Sequence, residues 1–447
     1  YDPNDPYDPG NRERDAAPYL RTETIEYTER TTFTTQLGGH HKLPDPELSL
    51  EKLFTLKNPE LDWGISHSSA NLYQPDKRQF GSLWWAEAYN PGYPPYIPPL
   101  MDPSLYRPFK PAANYTLGNF QRIWKDISEE SNQFFLDAKF PFEQWSEKEG
   151  YFKFGMFHDA VDRTYNQDSF SNFNDNSANY EAPWDESWSE HFNADDHPMT
   201  EADIDVDYEG EQDIWAWYTM TDFPLTSFIK VVGGVRHEFT DLSIVNYPEA
   251  EVTWIPPGSI GSVVLNPGDA DVTYSQNDLL PSIGLEINPL EQVTLRSSFS
   301  ETLARQTFKE LTPIQQQEYL GGDVFIGNPF LEMSALKNYD VRLDYTPYEG
   351  SLVSFSYFYK DVKNPIEYVQ RIADFPYTTP MNYPEGELSG FEIECRQQIG
   401  RFWDKMEGFS VGANATFIDS EVTLPAVEAA LFDQPNINAP MSKRDMT

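Results

Sequence analysis

The sequence predicts an all-β fold, namely an antiparallel, up-and-down transmembrane β-barrel segment of about twelve strands that are part of a larger barrel. Runs of alternating apolar and polar residues recur along most of the 447 residues, and a period of two places each set on its own face of a strand. The connections between these runs alternate between short turns and long loops, as in membrane barrels. Aromatic residues are abundant, with 30 Phe, 26 Tyr and 11 Trp, and several lie near strand ends, where membrane barrels carry aromatic girdles.

Clusters of Asn, Asp, Pro and Gly, the residues typical of turns and loops, separate the predicted strands. The strands cover residues 23–37, 59–72, 130–141, 150–165, 208–221, 226–244, 273–287, 292–306, 335–346, 351–366, 387–398 and 407–421. Only two segments have helical patterning, PELSLEKLFTL at 46–56 and AVEAALF at 426–432. We expect short helices there, and strands or loops elsewhere.

The lengths of the connections indicate which end of the sheet lies on which side of the membrane. Tight turns lie at 142–150, 222–226, 288–291, 347–350 and 399–406, and longer loops rich in Pro, Asn and Asp lie at 166–207, 245–272, 307–334 and 367–386. Alternate connections of an up-and-down sheet lie at opposite ends, so we assign the short turns to the periplasm and the long loops to the extracellular side. We expect residues 1–20 to form an acidic loop, 21–424 the strands and loops, and 425–447 a loop leading to strands outside this chain.

The hairpin YDVRLDYTPYEGSLVSFSYFYKD, residues 339–361, raises the question of what its apolar face contacts. Each strand has an aromatic and aliphatic face opposite a polar one. Alternation alone does not distinguish a lipid-facing barrel from a sandwich whose apolar faces meet in a core. Several predicted strands have roughly 12–18 residues, against ~5–6 in globular sheets, and this length favours lipid. No segment approaches the ~18–20 consecutive apolar residues of a transmembrane helix.

The polar faces carry charged residues that we expect to face the lumen of the barrel. These residues are Arg236, Glu238, Arg296, Arg342, Glu392 and Glu394. Opposite charges on neighbouring strands stabilise a sheet, so a ladder of paired charges is their simplest role, and contact with a plug or a passing solute is the alternative. Cys395, the single cysteine, falls on the apolar face and is expected to be a small lipid-facing residue.

Two groups of aromatic residues in long loops are candidates for ligand binding. They are Trp84, Trp85, Tyr93 and Tyr96 in the loop 82–109, and Trp184 and Trp188 in the loop 166–207. The first group lies among prolines, which stiffen the chain and reduce the entropy lost on binding. Exposed rings of this kind can stack on sugars or on planar chelating groups, and they also serve to pack a long loop against its neighbours.

The sequence does not indicate an enzyme or a cofactor. Seven His and the lack of a Gly-rich phosphate loop leave no catalytic constellation. The weak metal candidates are His191, Asp195, Asp196 and His197 in HFNADDH. Imidazole and carboxylate together can bind a transition metal, but acidic loops often contain His by chance, so no metal site is predicted. The net charge of −40 argues against nucleic acid as a partner, because phosphate binding needs clustered Lys and Arg.

Four stretches resemble the barrel of TonB-dependent outer-membrane receptors. They are VVGGVRHE at 231–238, SSFSETLARQTFKEL at 297–311, residues 327–367 with a Gly-Asn-Pro segment leading into a long hairpin, and GELSGFEIE at 386–394. The resemblance implies a plugged barrel of ~22 strands in the cell outer membrane, surrounded by its lipid. Such a barrel imports a scarce solute with energy from the TonB complex acting on the plug. The solute would be a siderophore, a cobalamin-like compound or an oligosaccharide.

The resemblance also leaves alternatives open. We find no plug domain and no TonB box in the sequence, which ends at SKRDMT rather than in a strand with a terminal aromatic residue. We therefore expect the chain to be part of a longer protein. A passive porin-like channel and a secreted β-sandwich carbohydrate-binding module are the alternative interpretations. The acidic, aromatic loops slightly favour a carbohydrate or a cationic ligand.

Overall fold

Long strands dominate the structure, a computed structural model that describes residues 19–44, 49–50, 54–84, 106–108, 120–145, 148–172, 199–201, 205–249, 251–317, 322–373, 375–431 and 443–444. The strands in chain order are β1 (Tyr19–Ile25), β2 (Glu29–Lys42), β3 (Ser49–Leu50), β4 (Phe54–Leu56), β5 (Glu60–Trp84), β6 (Tyr106–Pro108), β7 (Phe120–Gln144), β8 (Glu149–Ser171), β9 (Thr200–Glu201), β10 (Val206–Pro224), β11 (Ile229–Pro248), β12 (Thr253–Trp254), β13 (Val263–Val264), β14 (Val272–Leu290), β15 (Val293–Ala304), β16 (Gln315–Gln317), β17 (Val324–Ile326), β18 (Ser334–Tyr345), β19 (Leu352–Lys363), β20 (Ile366–Ile372), β21 (Pro376–Asn382), β22 (Glu385–Gln398), β23 (Ser410–Thr423) and β24 (Lys443–Arg444). The helices are α1 (Phe308–Leu311) and α2 (Ala426–Leu431), and two 3-10 turns lie at Ile399–Arg401 and Asp404–Met406. Among these described residues, no helix is both long and apolar enough to cross a membrane.

The long strands form one antiparallel sheet in which neighbours along the chain are also neighbours in space. β1 and β2 both pair with the same side of β5. The order then runs β5, β7, β8, β10, β11, β14, β15, β18, β19, β22 and β23. With β1 and β2 counted as one interrupted strand, the sheet has the twelve long strands that the sequence predicts.

The sheet has two chemically different faces. We call outer the face that carries exposed apolar side chains, and inner the opposite face. On β18 the outer residues are Tyr339, Val341, Leu343 and Tyr345, each 44–48% exposed. Their partners on β19 and β22 continue the same apolar surface. An uncovered apolar surface of this extent is typical of the lipid-facing wall of a membrane barrel.

The apolar band of the outer face ends at a defined level. On β18 the last ring of the band belongs to Tyr339, whose centroid lies 6.0 Å from that of Tyr359 on β19. The next outward residue toward the long loops is Lys337, which lies opposite Glu301 on one side and Asp361 on the other. A row of aromatic residues followed by a row of charges is typical of the boundary between lipid and water.

Three long loops fold toward the inner face and pack together. The loop 307–334 contains α1, β16 and β17, and the loop 367–386 contains most of β20 and β21; β16, β17, β20 and β21 join in a four-stranded sheet. These short strands correct the sequence analysis, which assigned only loop to both segments. We call the described residues within 307–333 and 366–383 the inner cap. The buried cluster that holds it consists of Tyr165, Val206, Tyr208, Leu242, Ile244 and Val272 from β8, β10, β11 and β14, and Val252, Trp254, Leu265, Ala270, Leu311, Ile314 and Leu331 from the loops.

The structure corrects two further element predictions and confirms one. The helix predicted at 46–56 is wrong where the chain is described, because Ser49–Leu50 and Phe54–Leu56 are strands and the latter pairs with β7. Strand pairing outweighs the weak propensity of so short a helical segment. The strand predicted at 130–141 extends over the whole of β7, since β5 and β8 pair with both of its sides. The helix predicted at 426–432 is confirmed as α2.

Candidate ligand-binding site

Three neighbouring strands present rows of polar side chains on the inner face near the long-loop end. β5, β7 and β8 pair in register, so that Gln74 lies beside Lys125 and Lys125 beside Gln167. The next two rows toward the loops are Lys77, Ile123 and Ser169, and then Gln79, Gln121 and Ser171. Amide, hydroxyl and ammonium groups therefore cover most of this part of the wall.

A β-bulge in β5 decides which of its residues reach this wall. Between Gln74 and Lys77, β5 has two residues where β7 has one, and Asp76 within the bulge has a φ of 53°. Regular alternation would turn Asp76 inward and Lys77 outward. The bulge reverses this, because it inserts one extra residue and so re-aims the side chains that follow. Asp76 instead accepts a hydrogen bond of 2.7 Å from Nε of Arg122, and the missing N–H of Pro75 is tolerated at a bulge.

The inner cap forms the opposite wall. α1 begins with a capping box, in which Thr307 accepts a hydrogen bond from the backbone N–H of Glu310 while the Glu310 carboxylate accepts one from the backbone N–H of Thr307. On the same turn, Nζ of Lys309 lies 4.6 Å from the ring centroid of Phe325. After β17, Gly327 approaches α1 so closely that a Cβ would collide with the carbonyl oxygen of the helix C-cap residue. Only glycine permits this contact.

The two walls enclose an open cavity of about 490 Å³. Among the residues that the structure describes, its lining contains six glutamines and three lysines, but a single carboxylate, that of Asp323. A volume of this size lies within the ~300–1,000 Å³ of small-molecule sites. Unlike most such sites, this cavity is lined mainly by polar groups, which favours a polar ligand.

The three lysines have different surroundings. Nζ of Lys77 lies 3.3 Å from the Glu26 carboxylate, and Lys309 contacts an aromatic ring. Nζ of Lys125 lies 5.7 Å from the ring centroid of Tyr165. Burial, followed by the charges of Lys77 and Lys309, lowers the pKa of Lys125 to about 8. Lys125 is therefore mostly protonated at neutral pH, and a nearby anion would offset part of the cost of burying its charge.

Two carboxyl groups beside the β8 side of the cavity have raised pKa values. Asp205 accepts hydrogen bonds from the backbone N–H of Ser169 and the side-chain amide of Gln167. Burial raises the pKa of Asp205 to about 6. Burial and the charge of Asp205 raise the pKa of Glu249 to about 7. Near neutral pH Asp205 is therefore still mostly ionised, whereas Glu249 is about half protonated and carries less negative charge.

Gln121 supplies an unused hydrogen-bond donor in the lining. Its side chain is buried, and its Nε2 has no acceptor among the residues that the structure describes. By contrast, the amides of Gln167, Gln315 and Gln317 donate to other groups of the protein. A buried donor without an acceptor costs about 1–3 kcal/mol, so a ligand oxygen placed here would relieve that cost.

Ion pairs occupy the inner face between the cavity and the short turns. Glu238 on β11 is buried and pairs with both Arg236 and Arg305. A second group crosses β14, β15, β18 and β22, with Arg296 bound to Glu286 and Asp344, and Arg342 bound to Asp344 and Glu394. Five of the six charges expected to face the lumen thus lie in ion pairs. Arg296, Arg342 and Glu394 pair across strands, whereas Glu238 pairs with Arg305 after the end of β15 and with Arg236 along its own strand. The sixth, Glu392, lies in register with Ser356 and Thr416 on the same face. That this face lines a lumen stays a prediction.

The aromatic and metal candidates fall almost entirely outside the described residues. Trp84 is the last residue of β5 and pairs with Tyr19, but its side chain is not among those described. The candidates beyond the described ranges are Trp85, Tyr93, Tyr96, Trp184, Trp188, His191, Asp195, Asp196 and His197. Where side chains are described, no three His, Cys, Asp or Glu lie close enough together to hold a metal ion.

Sequence reasoning missed the cavity, because its residues come from segments that are distant along the chain. No local pattern connects Gln74, Gln121, Gln167 and Gln315. One signal was available in QPDK at 74–77, where Pro and Asp interrupt an otherwise regular strand. Proline inside a strand indicates an edge or a bulge, and a bulge there would have predicted an inward Lys77.

Comparisons with known proteins give one family and several solved receptors. The family model described as TonB dependent receptor-like, beta-barrel matches residues 1–441. The ferric-catecholate import receptor Fiu from E. coli K12 is 12% identical with a TM-score of 0.45, and the match covers 91% of this chain and 58% of that one. The ferric yersiniabactin uptake receptor FyuA from Yersinia pestis is 11% identical with a TM-score of 0.40, over 91% and 52% of the two chains. The chain therefore spans between 52% and 58% of the length of these receptors. No curated protein matches it.

Proposed function

We propose, from the fact that the chain belongs to the family of TonB-dependent receptor-like β-barrels, that it is the barrel portion of a receptor that binds a scarce solute at its long-loop end and imports it. Proteins of this family are β-barrels of the outer membrane, and so is this chain. The family is one of transport receptors rather than enzymes. The observation that carries the proposal is the polar cavity between the inner cap and the wall of β5, β7 and β8.

The two faces of the sheet support a path for a polar solute. The outer face is apolar from Tyr339 to Tyr345 on β18 and over the paired residues of β19, which suits contact with lipid. The inner face carries ion pairs such as those of Glu238 and Arg342, and charged groups of this kind need water or partners. We therefore propose that the inner face lines the lumen, with the cavity at its extracellular mouth.

A plug and the TonB complex would complete the receptor. The chain spans 58% of the length of Fiu, so the import activity proposed here is that of a whole protein of which this chain is the barrel portion. We propose that the whole protein includes a plug, that the plug contacts the inner face, and that the TonB complex supplies the energy to move it. The candidate solutes are a siderophore, a cobalamin-like compound and an oligosaccharide.

Growth phenotypes test this function across all three classes of candidate solute. A strain lacking the gene for the whole protein should lose growth on one limiting solute from a panel of ferric siderophores, ferric citrate, cobalamin and oligosaccharides. A strain lacking TonB should show the same loss, and the restored gene should correct only the first strain. Unchanged growth on every solute, or uptake that does not need TonB, would contradict the proposal, and the second result would favour a porin-like channel.

A further inference from the structure

We infer that the cavity between the inner cap and the strand wall takes an anionic, hydroxyl-rich solute of about the bulk of an acidic disaccharide, with Lys125 as its main anchor. The inference rests on the proposed function and names the chemical class of its solute. The same chemistry occurs in acidic sugars and in hydroxycarboxylate chelates of iron. It differs from the cationic ligand that the acidic loops favour.

The charge of the cavity is opposite to that of the chain. The sequence has 72 Asp and Glu against 32 Lys and Arg. The described lining of the cavity nevertheless gathers Lys77, Lys125 and Lys309 with Asp323 as its one carboxylate. Glu26 pairs with Lys77. Screening by salt limits charge interactions to about 8–10 Å, so a bound solute is governed by the lysines around it rather than by distant acidic loops.

The bulge in β5 gives the cavity this charge. In the described part of the lining, three lysines and one aspartate sum to a formal charge of +2. With regular alternation, Asp76 would replace Lys77 in the lining, and two lysines would face two aspartates with a formal charge of zero. The bulge also gives Asp76 a partner elsewhere, in Arg122. A local irregularity that turns a carboxylate away and a lysine inward points to selection for an anion.

Lys125 has the environment of an anchor for an anion. It lies in the middle row of the three strands, between Gln74 and Gln167. Among the described residues, its charged group lies beside the ring of Tyr165 and forms no ion pair with a carboxylate. A buried ammonium in this position gains more from an added anion than an ammonium that is already paired or exposed to water.

The amides of the lining are suited to hydroxyl groups. A carboxamide both donates and accepts hydrogen bonds, as a hydroxyl does. Nε2 of Gln121 is available as a buried donor, and Gln316 adds a second side-chain amide from the inner cap. Carboxylates on the solute would bind the lysines while its hydroxyls bind these amides.

Isothermal titration of the purified whole protein in detergent tests the inference. The probes are digalacturonate, ferric citrate, and uncharged galactobiose of the same size as the first probe. We expect at least one anionic probe to bind, and Lys125→Met to weaken its binding about tenfold or more, since a charge-assisted hydrogen bond is lost. Gln121→Met should weaken binding less, and it provides a second variant if Lys125→Met does not fold. Lys337→Met removes an equal charge from the outer face and should leave affinity unchanged.

Each outcome has a distinct meaning. Binding of digalacturonate identifies an acidic sugar as the source of this chemistry, and binding of ferric citrate identifies an iron chelate. Equal binding of galactobiose, failure of both anions to bind, or insensitivity to Lys125→Met and Gln121→Met would overturn the inference. The growth test is separate: TonB-dependent growth on an uncharged solute would preserve the proposed function while this inference fails.

Discussion

Replacing Phe355 by arginine tests whether the outer face lies in lipid. Phe355 is on the outer face of β19 and is 49% exposed. It lies between Leu343 on β18 and Ile393 on β22, and its ring centroid lies 6.3 Å from that of Phe391. The apolar band on β19 extends from Val353 to Tyr359, so Phe355 has apolar residues of the band on both sides of it along the strand.

The expected cost has two parts. An arginine on the lipid face of a barrel costs about 2–4 kcal/mol at the bilayer midplane and ~0–1 kcal/mol near the interfaces. Loss of the contact between Phe355 and Phe391 adds about 0.5–1.5 kcal/mol. We therefore expect the free energy of unfolding to fall by roughly 3–5 kcal/mol, which is a change of more than about a hundredfold in the ratio of folded to unfolded protein.

Val245 provides a matched control on the same face. It is 41% exposed on the outer face of β11, but it lies far along the strand from Ile229, where β11 leaves the short turn. A membrane-crossing strand needs only ~9–11 residues, so Val245 lies beyond the bilayer. Val245→Arg should therefore cost no more than about 1 kcal/mol.

Denaturant unfolding of the whole protein in liposomes measures both variants. The reasoning predicts that Phe355→Arg loses several kcal/mol more stability than Val245→Arg. Equal losses, or a loss below about 1 kcal/mol for Phe355→Arg, would refute the assignment of the outer face to lipid. The comparison is robust because both substitutions place the same side chain on the same face of the sheet.

Three further predictions concern the outer face, the cavity and the inner cap. Cys395 is exposed and lies opposite Val353 on the outer face. A lipid-soluble maleimide should therefore label it in membranes, while a charged, water-soluble maleimide should not. Equal labelling rates for the two reagents would contradict this prediction. The pKa of Lys125 is lowered from 10.5 to about 8 by burial and then by its lysine neighbours, so the unfolded state binds more protons between these values and stability rises with pH there. That rise should be absent from denaturant unfolding of Lys125→Met, and an identical pH profile would count against the buried site. Leu311→Ala should lower the stability of the inner cap by about 2–5 kcal/mol without affecting the long strands. Hydrogen exchange should therefore become faster than in the unsubstituted protein over 308–331 but not in β19. Phe330 is exposed, so Phe330→Ala should leave exchange unchanged.

The alternation of apolar and polar residues predicted the long strands well where turn residues marked the ends of the same segments. The hairpin predicted at 335–346 and 351–366 corresponds to β18 and β19, because each strand has one apolar face and a turn with Gly350 at a φ of 79° joins them. Residues 120–129 were missed because they lack an apolar face. That part of β7 is instead held by pairing on both sides, which local pattern cannot reveal.

The candidate site was far less predictable than the fold. Charges such as Arg342 and Glu394 could be placed on one face, since a period of two fixes the face but not the partner. The cavity needed three facts that are absent from local sequence: the register of β5 with β7 and β8, the bulge before Lys77, and the inward folding of 307–333. The capping box at Thr307 and the close approach of Gly327 to α1 position the inner cap. Their role is visible only in the folded structure, where the inner cap lies against the strand wall.

The most direct test of a solute-binding receptor against an open channel is the conductance of the whole protein in a planar bilayer. We predict that the intact protein, with no domain removed, inserts without steady ion conductance, because the proposed function makes passage through the barrel depend on a bound solute and on energy from TonB. A steady conductance from the intact protein, unaffected by Lys125→Met, would contradict the receptor and favour the passive channel.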